Sequence, residues 1–312
     1  MKSPIEEIYD ICKDNTKYNA IMYYLFTELS SKKFSFLKNV SIKELISTMQ
    51  SNINKLVEYM NKLNDKEHRD IYKCLSCIFG AFLGDAIGAY CEFHKPNPKN
   101  IKKIFVGNPM FGEAPGQVTD DSEMAISSTF AIMDNPELNN LRSDYLYYFY
   151  GLWHLSRPKD EGITTRKALM NFKTENFNPE KGCYSENFEK IAQNNDKSLA
   201  NGFLMRTSPF IVWCYYRFNE QINVAFNKKD NSQELFSLFQ TIQQQARKDN
   251  ICTHPNYSLS IAHSIFCIMA LGAIYELKSS DILNNTKTLL KNDFFNNKNH
   301  KSITEMIINE IN

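Results

Sequence analysis

Residues 116–125 read Gly-Gln-Val-Thr-Asp-Asp-Ser-Glu-Met-Ala, and an apolar segment that extends to Met133 follows them directly. The glycine predicts a turn, and the apolar spacing after it predicts a helix. A hydroxyl and two adjacent carboxylates therefore stand at a helix start, and such hard oxygens suit Mg²⁺ or Mn²⁺ better than zinc. Alternatively, Asp120 and Glu123 form an ordinary capping box for that helix. The stretch alone leaves both interpretations open.

The segment before this stretch carries small residues at helical spacing. Gly80, Gly84, Gly88 and Glu92 recur every four residues, so a helix places them on one stripe. Glycines inside a helix cost about 1 kcal/mol each relative to alanine, which favours tight helix packing against that face. We expect Glu92 to face a cleft. Asp85 lies off the stripe and is expected to support a neighbouring loop.

Further along the chain, helical patterns alternate with polar loops. Residues 141–155 are aromatic-rich at helical spacing and are predicted to supply core, whereas residues 171–195 are polar and predicted to be irregular. Asn201-Gly202 usually marks a hairpin turn, but an apolar helix follows it, so amides at that helix start can instead hold a phosphate. His254 precedes another helix, and a lone histidine is more often structural. No strand pattern is convincing, so the sequence predicts an all-α fold.

The first 70 residues form a predicted helical N-terminal extension, and residues 71–312 form the predicted main domain. Residues 40–63 place apolar side chains at helical spacing between Lys, Glu and Asn, which is typical of an amphipathic helix. Such a helix needs a partner surface. Packing within the chain is the default expectation, and a second protein is the alternative.

Composition excludes several classes of protein. The 312 residues include 36 basic and 35 acidic ones, so the chain lacks the basic surface of a nucleic-acid binder. Eight scattered cysteines suit reduced thiols in a cytoplasmic setting, and Cys74-x-x-Cys77 lacks the second pair that a zinc site needs. Charges interrupt the N-terminus, so no signal peptide is expected. Residues 259–277 are predicted to be a buried core helix and not a membrane span.

Taken in order, these motifs resemble the ADP-ribosylglycohydrolase family. The matching segments are residues 80–93 (GxxxGDxxGxxxEF), 116–125 (GQxTDDSEMA), 162–166, 201–206 (NGxxMR) and Thr253-His254. One such motif is weak, whereas five in order are specific. The resemblance implies an all-α hydrolase that uses one or two Mg²⁺ ions to remove ADP-ribose from a protein side chain or from an ADP-ribose-containing small molecule.

The resemblance also implies roles for residues. It makes Thr119, Asp120 and Asp121 metal ligands, with Asp120 and Asp121 also catalytic. It places Glu92 at the substrate cleft, where it can gate the cleft or help to activate water. The implied substrate-binding residues are Asn201, Gly202, Met205, Arg206 and His254. Cleavage would pass through an oxocarbenium-like state that carboxylates and metal-polarised hydroxyls stabilise.

One departure from the family pattern bears on activity. The family takes further metal ligands from a C-terminal Asp-x-Asp-Thr motif, and this chain contains no Asp-x-Asp. We therefore expect a C-terminally shortened domain. Three hypotheses follow: an active hydrolase that completes its metal site with other oxygens, with water or with a second polypeptide, an ADP-ribose binder without turnover, or a helical interaction scaffold.

Overall fold

The computed structural model of the protein describes residues 58, 61–93, 107–108, 112, 116–135, 139–178, 183–184, 188–228 and 231–296. Its helices are α1 (Asp65–Gly88), α2 (Asp120–Asp134), α3 (Ser143–Leu155), α4 (Ile163–Leu169), α5 (Phe188–Ala192), α6 (Ser208–Arg217), α7 (Asn219–Asn227), α8 (Ser232–Asn250), α9 (Tyr257–Ile274), α10 (Ser279–Leu290) and α11 (Asp293–Asn296). Short 3₁₀ turns occupy Ala89–Cys91, Thr174–Asn176 and Gln193–Asn195. The prediction of an all-α fold is confirmed.

A two-residue hairpin interrupts the helical pattern within residues 171–195. Strand β1 (Phe177–Asn178) pairs antiparallel with β2 (Cys183–Tyr184), with Phe177 opposite Tyr184. Helix α5 follows, so the prediction that this segment is irregular throughout is wrong. The Phe177 ring stacks on Tyr148 with their centroids 4.1 Å apart. Aromatic packing therefore contributes to regular structure in a segment whose polar composition predicts an irregular one.

The chain divides into two compact units, Met1–Lys73 with Leu152–Pro158 and Cys74–Gly151 with Lys159–Asn312. In the first unit, Asn64 caps the start of α1, because its Oδ1 accepts hydrogen bonds from the Lys66 and Glu67 amides at 3.0 Å. The amphipathic helix predicted over residues 40–63 lies almost entirely outside the described residues. Every candidate site residue belongs to the second unit.

Helix α8 organises the second unit, packing against α7, α9 and α10. Its buried residues Leu235, Leu238, Phe239, Ile242 and Ala246 follow the spacing of a single helical face. Helix α6 packs on both α2 and α9, and so links the helix that follows the Thr-Asp-Asp stretch to this core. Most of the aromatics predicted to be core on α3 are also buried, Tyr147 and Tyr150 completely, whereas Tyr148 is half-buried.

Two described stretches are long and apolar enough, by length and composition, to cross a membrane: Asp65–Cys91 and Tyr257–Ile274. Of the second, 61% is buried, as expected for the predicted core helix α9. The first is only 17% buried. Composition of this kind is also common in helices of proteins that never enter a bilayer, and the absence of a membrane partner stays a prediction.

The glycine stripe of α1 does not pack as predicted. Gly80, Gly84 and Gly88 are exposed, and a Cβ added at any of them would meet no atom within 4 Å. Phe79 and Leu83 beside them are 63% and 52% exposed. The interpretation of these glycines as a tight packing face is therefore wrong for the part of the chain that the structure describes, because helical spacing reveals a shared face but not what covers it.

The Cys74-x-x-Cys77 pair consists of free thiols in α1, as predicted. Burial, with a smaller contribution from Cys74 and Cys267, raises the pKa of Cys77 to about 11. A thiol with so high a pKa stays protonated at neutral pH, and the protonated form is neither a nucleophile nor a metal ligand.

Candidate active site

Helix α2 begins with a cap that comes from another helix. Its N-cap residue Thr119 makes no side-chain capping bond of its own. Instead, the Asp85 carboxylate on α1 accepts hydrogen bonds from the Thr119 and Ser122 amides at 3.0 and 3.1 Å. It also accepts from both hydroxyls, at 2.7 Å from Thr119 and 2.6 Å from Ser122. The expectation that Asp85 supports a neighbouring loop agrees with these contacts, whereas an Asp120–Glu123 capping box is not what holds this helix start.

This cap also decides what Thr119 can offer a ligand. A hydroxyl has one proton to donate, and that of Thr119 is directed to Asp85. Only lone pairs remain available on Thr119 Oγ1, and lone pairs are what a cation requires. Thr119 is buried at the N-terminus of α2, immediately before Asp120.

Three carboxylates converge beside this helix start. One ligand oxygen each from Glu92, Asp120 and Asp160 lie within 4.8 Å of one another. Glu92 follows the 3₁₀ turn after α1, Asp120 is the first residue of α2, and Asp160 precedes α4. Asn108 holds the Glu92 segment, since its Nδ2 donates to the Ala89 carbonyl at 2.9 Å. The group combines the predicted Glu92 and Asp120 with Asp160, which sequence reasoning missed.

Burial and the repulsion of like charges make Asp120 and Asp121 hard to ionise. Burial raises the pKa of Asp120 to about 8, and repulsion from Asp160, Asp121, Glu92 and Glu123 adds to the shift. For Asp121 the pKa rises to about 6, again mainly through burial and then through Asp85 and Asp160. The site thus concentrates negative charge in a partly desolvated place.

The residues present fit a hard divalent cation. All three convergent ligands are carboxylates, which Mg²⁺, Mn²⁺ and Ca²⁺ prefer, and no sulfur or imidazole belongs to the described group. A cation at this point would compensate the repulsion that raises the pKa of Asp120. Of the three predicted metal ligands, Asp120 lies in the convergent group, and Thr119 and Asp121 flank it in sequence.

The segment predicted to bind substrate is a tight turn and not a hairpin. It runs from Asn201 to Thr207 and leads into α6, with the Leu204 amide donating to the Asn201 carbonyl at 2.8 Å. Asn201 is exposed, and Gly202 and Met205 are half-buried. These three residues are therefore at least partly accessible to solvent.

Arg206 occupies a different place, because it is 1% exposed and lies inside the core. Its guanidinium pairs with the Asp249 carboxylate, with Nη2 3.2 Å from Oδ1, and donates to Thr253 Oγ1 at 2.9 Å. It also covers the Tyr150 ring, 4.1 Å from the centroid. Arg206 was predicted to bind substrate. Its contacts assign it to the framework under the turn, so any effect on a ligand passes through its neighbours.

His254 lies directly beneath the turn and is also 1% exposed. A Cβ added to Gly202 would lie 3.1 Å from His254 Nε2, so glycine leaves the imidazole room at this point. Burial, followed by the charge of Arg206, lowers the pKa of His254 to about 3. The predicted substrate neighbour is thus a neutral, buried imidazole next to Gly202.

The motif segments found in the sequence form one connected set. Asp85, in residues 80–93, contacts Thr119, in residues 116–125. Arg206, in residues 201–206, lies 3.9 Å from Met124 Sδ of the same stretch and also contacts Thr253. Residues 162–166 are linked to Thr253 through Asn195, whose Nδ2 donates to the carbonyls of Thr164 at 2.8 Å and Thr253 at 3.1 Å.

The fold and this site define an all-helical protein with a carboxylate-lined centre. Comparison with known proteins identifies a family with the same expected fold. The ADP-ribosylglycohydrolase family model matches residues 66–307, so the chain belongs to that family. It is 27% identical over 222 residues to a provisionally named ADP-ribosyl glycohydrolase, L543, of Acanthamoeba polyphaga mimivirus, which covers 69% of this chain and 59% of the relative.

A second relative is the ADP-ribosyl-dinitrogen-reductase glycohydrolase of Rhodospirillum rubrum. It is 28% identical over 106 residues, which cover 32% of this chain and 34% of the relative. The chain thus spans less than two thirds of the length of either protein.

Proposed function

We propose that this protein hydrolyses the bond between ADP-ribose and a modified protein side chain, with Mg²⁺ as its metal. The observation that carries the proposal is the convergence of Glu92, Asp120 and Asp160 within 4.8 Å, in a chain of the ADP-ribosylglycohydrolase family. The Rhodospirillum rubrum relative is named for action on an ADP-ribosylated protein, which supports a protein-linked substrate here. Asp160 gives the centre a third carboxylate in a sequence that lacks Asp-x-Asp.

The carboxylates have two tasks in this mechanism. Glu92, Asp120 and Asp160 would hold the cation, and Mg²⁺ held there would orient the ribose hydroxyls. Cleavage of a glycosidic bond creates positive charge at the anomeric carbon, which neighbouring carboxylates stabilise. We assign activation of the attacking water to Glu92. Asp121, with its pKa raised to about 6, can hold or release a proton at its carboxylate near neutral pH.

The turn before α6 would bind the ADP-ribose part. Exposed Asn201 offers an amide side chain, and the backbone around Gly202 approaches a ligand without a Cβ in the way. Arg206 and Asp249 hold this turn from below through their buried ion pair. Positioning the sugar relative to the carboxylates is itself worth several kcal/mol of a reaction barrier, on the order of 7–11 kcal/mol in well-oriented systems.

Release of free ADP-ribose from arginine- and serine-linked ADP-ribosylated peptides tests the proposal. We expect release with Mg²⁺, none with chelator, and a loss of about 100-fold or more in Asp120→Asn and Asp160→Asn, since even outer-shell changes cost about 10–100-fold. Asp134→Asn, at the far end of the same helix, is the matched control. Binding of ADP-ribose without release by folded protein would instead support the alternative of a binder without turnover.

A further inference from the structure

We propose that Arg206 and Thr253 act as positioning residues that fix the tautomer of His254, so that its Nε2–H is a ready donor to a sugar or phosphate oxygen of the ligand at Gly202. We call the chain of hydrogen bonds from Arg206 through Thr253 to His254 the relay, and we infer it from the geometry of these contacts. The identity of the ligand rests on the proposed function.

The first step is the contact between Arg206 and Thr253. Arg206 Nη2 lies 2.9 Å from Thr253 Oγ1, and both residues are buried. A guanidinium has donors and no acceptor. The Thr253 hydroxyl oxygen must therefore accept this hydrogen bond, and its own proton is left to point elsewhere.

The second step is the direction of that proton. Thr253 Oγ1 has one other polar contact among the described residues, His254 Nδ1 at 2.8 Å. A completely buried hydroxyl that left its proton unpaired would lose about 1–3 kcal/mol, so Thr253 donates to Nδ1. Nδ1 is then the acceptor. In a neutral imidazole with Nδ1 unprotonated, the proton is on Nε2.

The His254 imidazole is neutral at and around neutral pH. Burial and the adjacent Arg206 lower the pKa of His254 to about 3, although Asp249 opposes them. Arg206 itself stays charged, because its pKa is raised by Asp249 and by Tyr150 against the cost of burial. The positive charge that orients Thr253 is therefore always present.

The third step is the place to which Nε2–H points. A Cβ on Gly202 would lie 3.1 Å from Nε2 and 3.2 Å from Cε1, so the glycine leaves a gap over this edge of the ring. In the part of the chain that the structure describes, Nε2 has no hydrogen-bond acceptor. Because His254 is 1% exposed and this methyl-sized space adjoins Nε2, we place the ligand oxygen there, beside Gly202. Sugar hydroxyls and phosphates both supply such an oxygen.

The relay is tested by ¹⁵N NMR of histidine-labelled protein, with the His254 signals assigned from a His254→Gln sample. We expect wild type to show the pair of shifts of an Nε2–H tautomer. Thr253→Val should move both shifts towards those of a tautomer mixture, and Thr253→Ser should restore them. Thr286→Val is the matched control, since Thr286 is equally buried and donates to a helix carbonyl. An Nδ1–H tautomer in wild type, or unchanged shifts in folded Thr253→Val, would overturn the relay.

The ligand part is tested by ADP-ribose affinity. Loss of one hydrogen bond of about 0.5–1.5 kcal/mol predicts about 2–10-fold weaker binding in Thr253→Val, with recovery in Thr253→Ser. Gly202→Ala should weaken binding at least as much, and Gly80→Ala, where an added Cβ meets nothing, should not. Equal affinity in all four variants would overturn this part. If wild type binds no ADP-ribose, the proposed function fails together with the ligand part, while NMR still decides the relay.

Discussion

Asp120 lies at the first position of α2 among other carboxylates, and its pKa near 8 links stability to pH. An unfolded Asp releases its proton near its model value of 3.8, so between these two pKa values the folded state binds more protons. The free energy of unfolding must then fall as pH rises through that interval. Two buried histidines act in the opposite direction below about pH 6.5, because the pKa values of His254 and His263 are lowered to about 3 and 4.

The first prediction follows from the sign of the pH dependence that Asp120 imposes on stability. In metal-free protein, urea unfolding should show stability falling from about pH 6.5 to about pH 8, the window in which the histidines no longer contribute. Asp120→Asn should flatten that slope, and Mg²⁺ should raise stability most at the alkaline end. An identical slope in wild type and Asp120→Asn would show that Asp120 is not the titrating group.

Single residues also show where sequence reasoning ends. Asp120 and Glu92 stood out because each ends a recognisable local pattern, and both lie in the convergent group. No local sequence pattern marks Asp160, because it comes close to residues 92 and 120 only in the folded chain. The available signal was its position two residues before Gly162, where an acidic pair lies close to a helix start, as Asp120 and Asp121 also do. Arg206 was assigned to substrate because a motif contained it, and motif membership cannot distinguish a ligand contact from a buried ion pair.

At the scale of elements, helix periodicity predicted which residues share a face but not which faces are covered. The two glycine environments show the difference. Gly151 on α3 lies against Phe172, where an added Cβ would be 2.1 Å from Cδ2, whereas no described residue comes within 4 Å of a Cβ added to Gly80 on α1. No local pattern marks Gly151, and the repeating glycines of α1 suggested the opposite assignment.

The second prediction compares these glycines by denaturant unfolding. Gly151→Ala should destabilise the protein by about 1–3 kcal/mol, because the new methyl group overlaps a buried ring that cannot move freely. Gly80→Ala should stabilise it by about 0.5–1 kcal/mol, since alanine loses less backbone entropy in a helix and meets no atom. Loss of stability in Gly80→Ala comparable to that in Gly151→Ala would mean that the stripe on α1 is covered.

Across the whole molecule, the all-α class and the order of five separate motifs were predictable, because helical spacing and motif order are properties of the sequence. The contacts that join the motifs were not predictable. Asp85 as the cap of α2, and Asn195 as the bridge between Thr164 and Thr253, join residues 31 to 58 positions apart. Contacts of this kind depend on packing, which local pattern does not encode.

We propose that Glu92, Asp120 and Asp160 together hold a divalent cation. Titration of metal-stripped protein with Mn²⁺, followed by electron paramagnetic resonance and competed with Mg²⁺, measures this binding. We predict a Mn²⁺ site that Mg²⁺ displaces, weakened by about tenfold or more in Glu92→Gln, Asp120→Asn and Asp160→Asn, and unchanged in Asp134→Asn. Equal Mn²⁺ affinity in wild type and in the three carboxylate variants would show that these residues do not hold the cation.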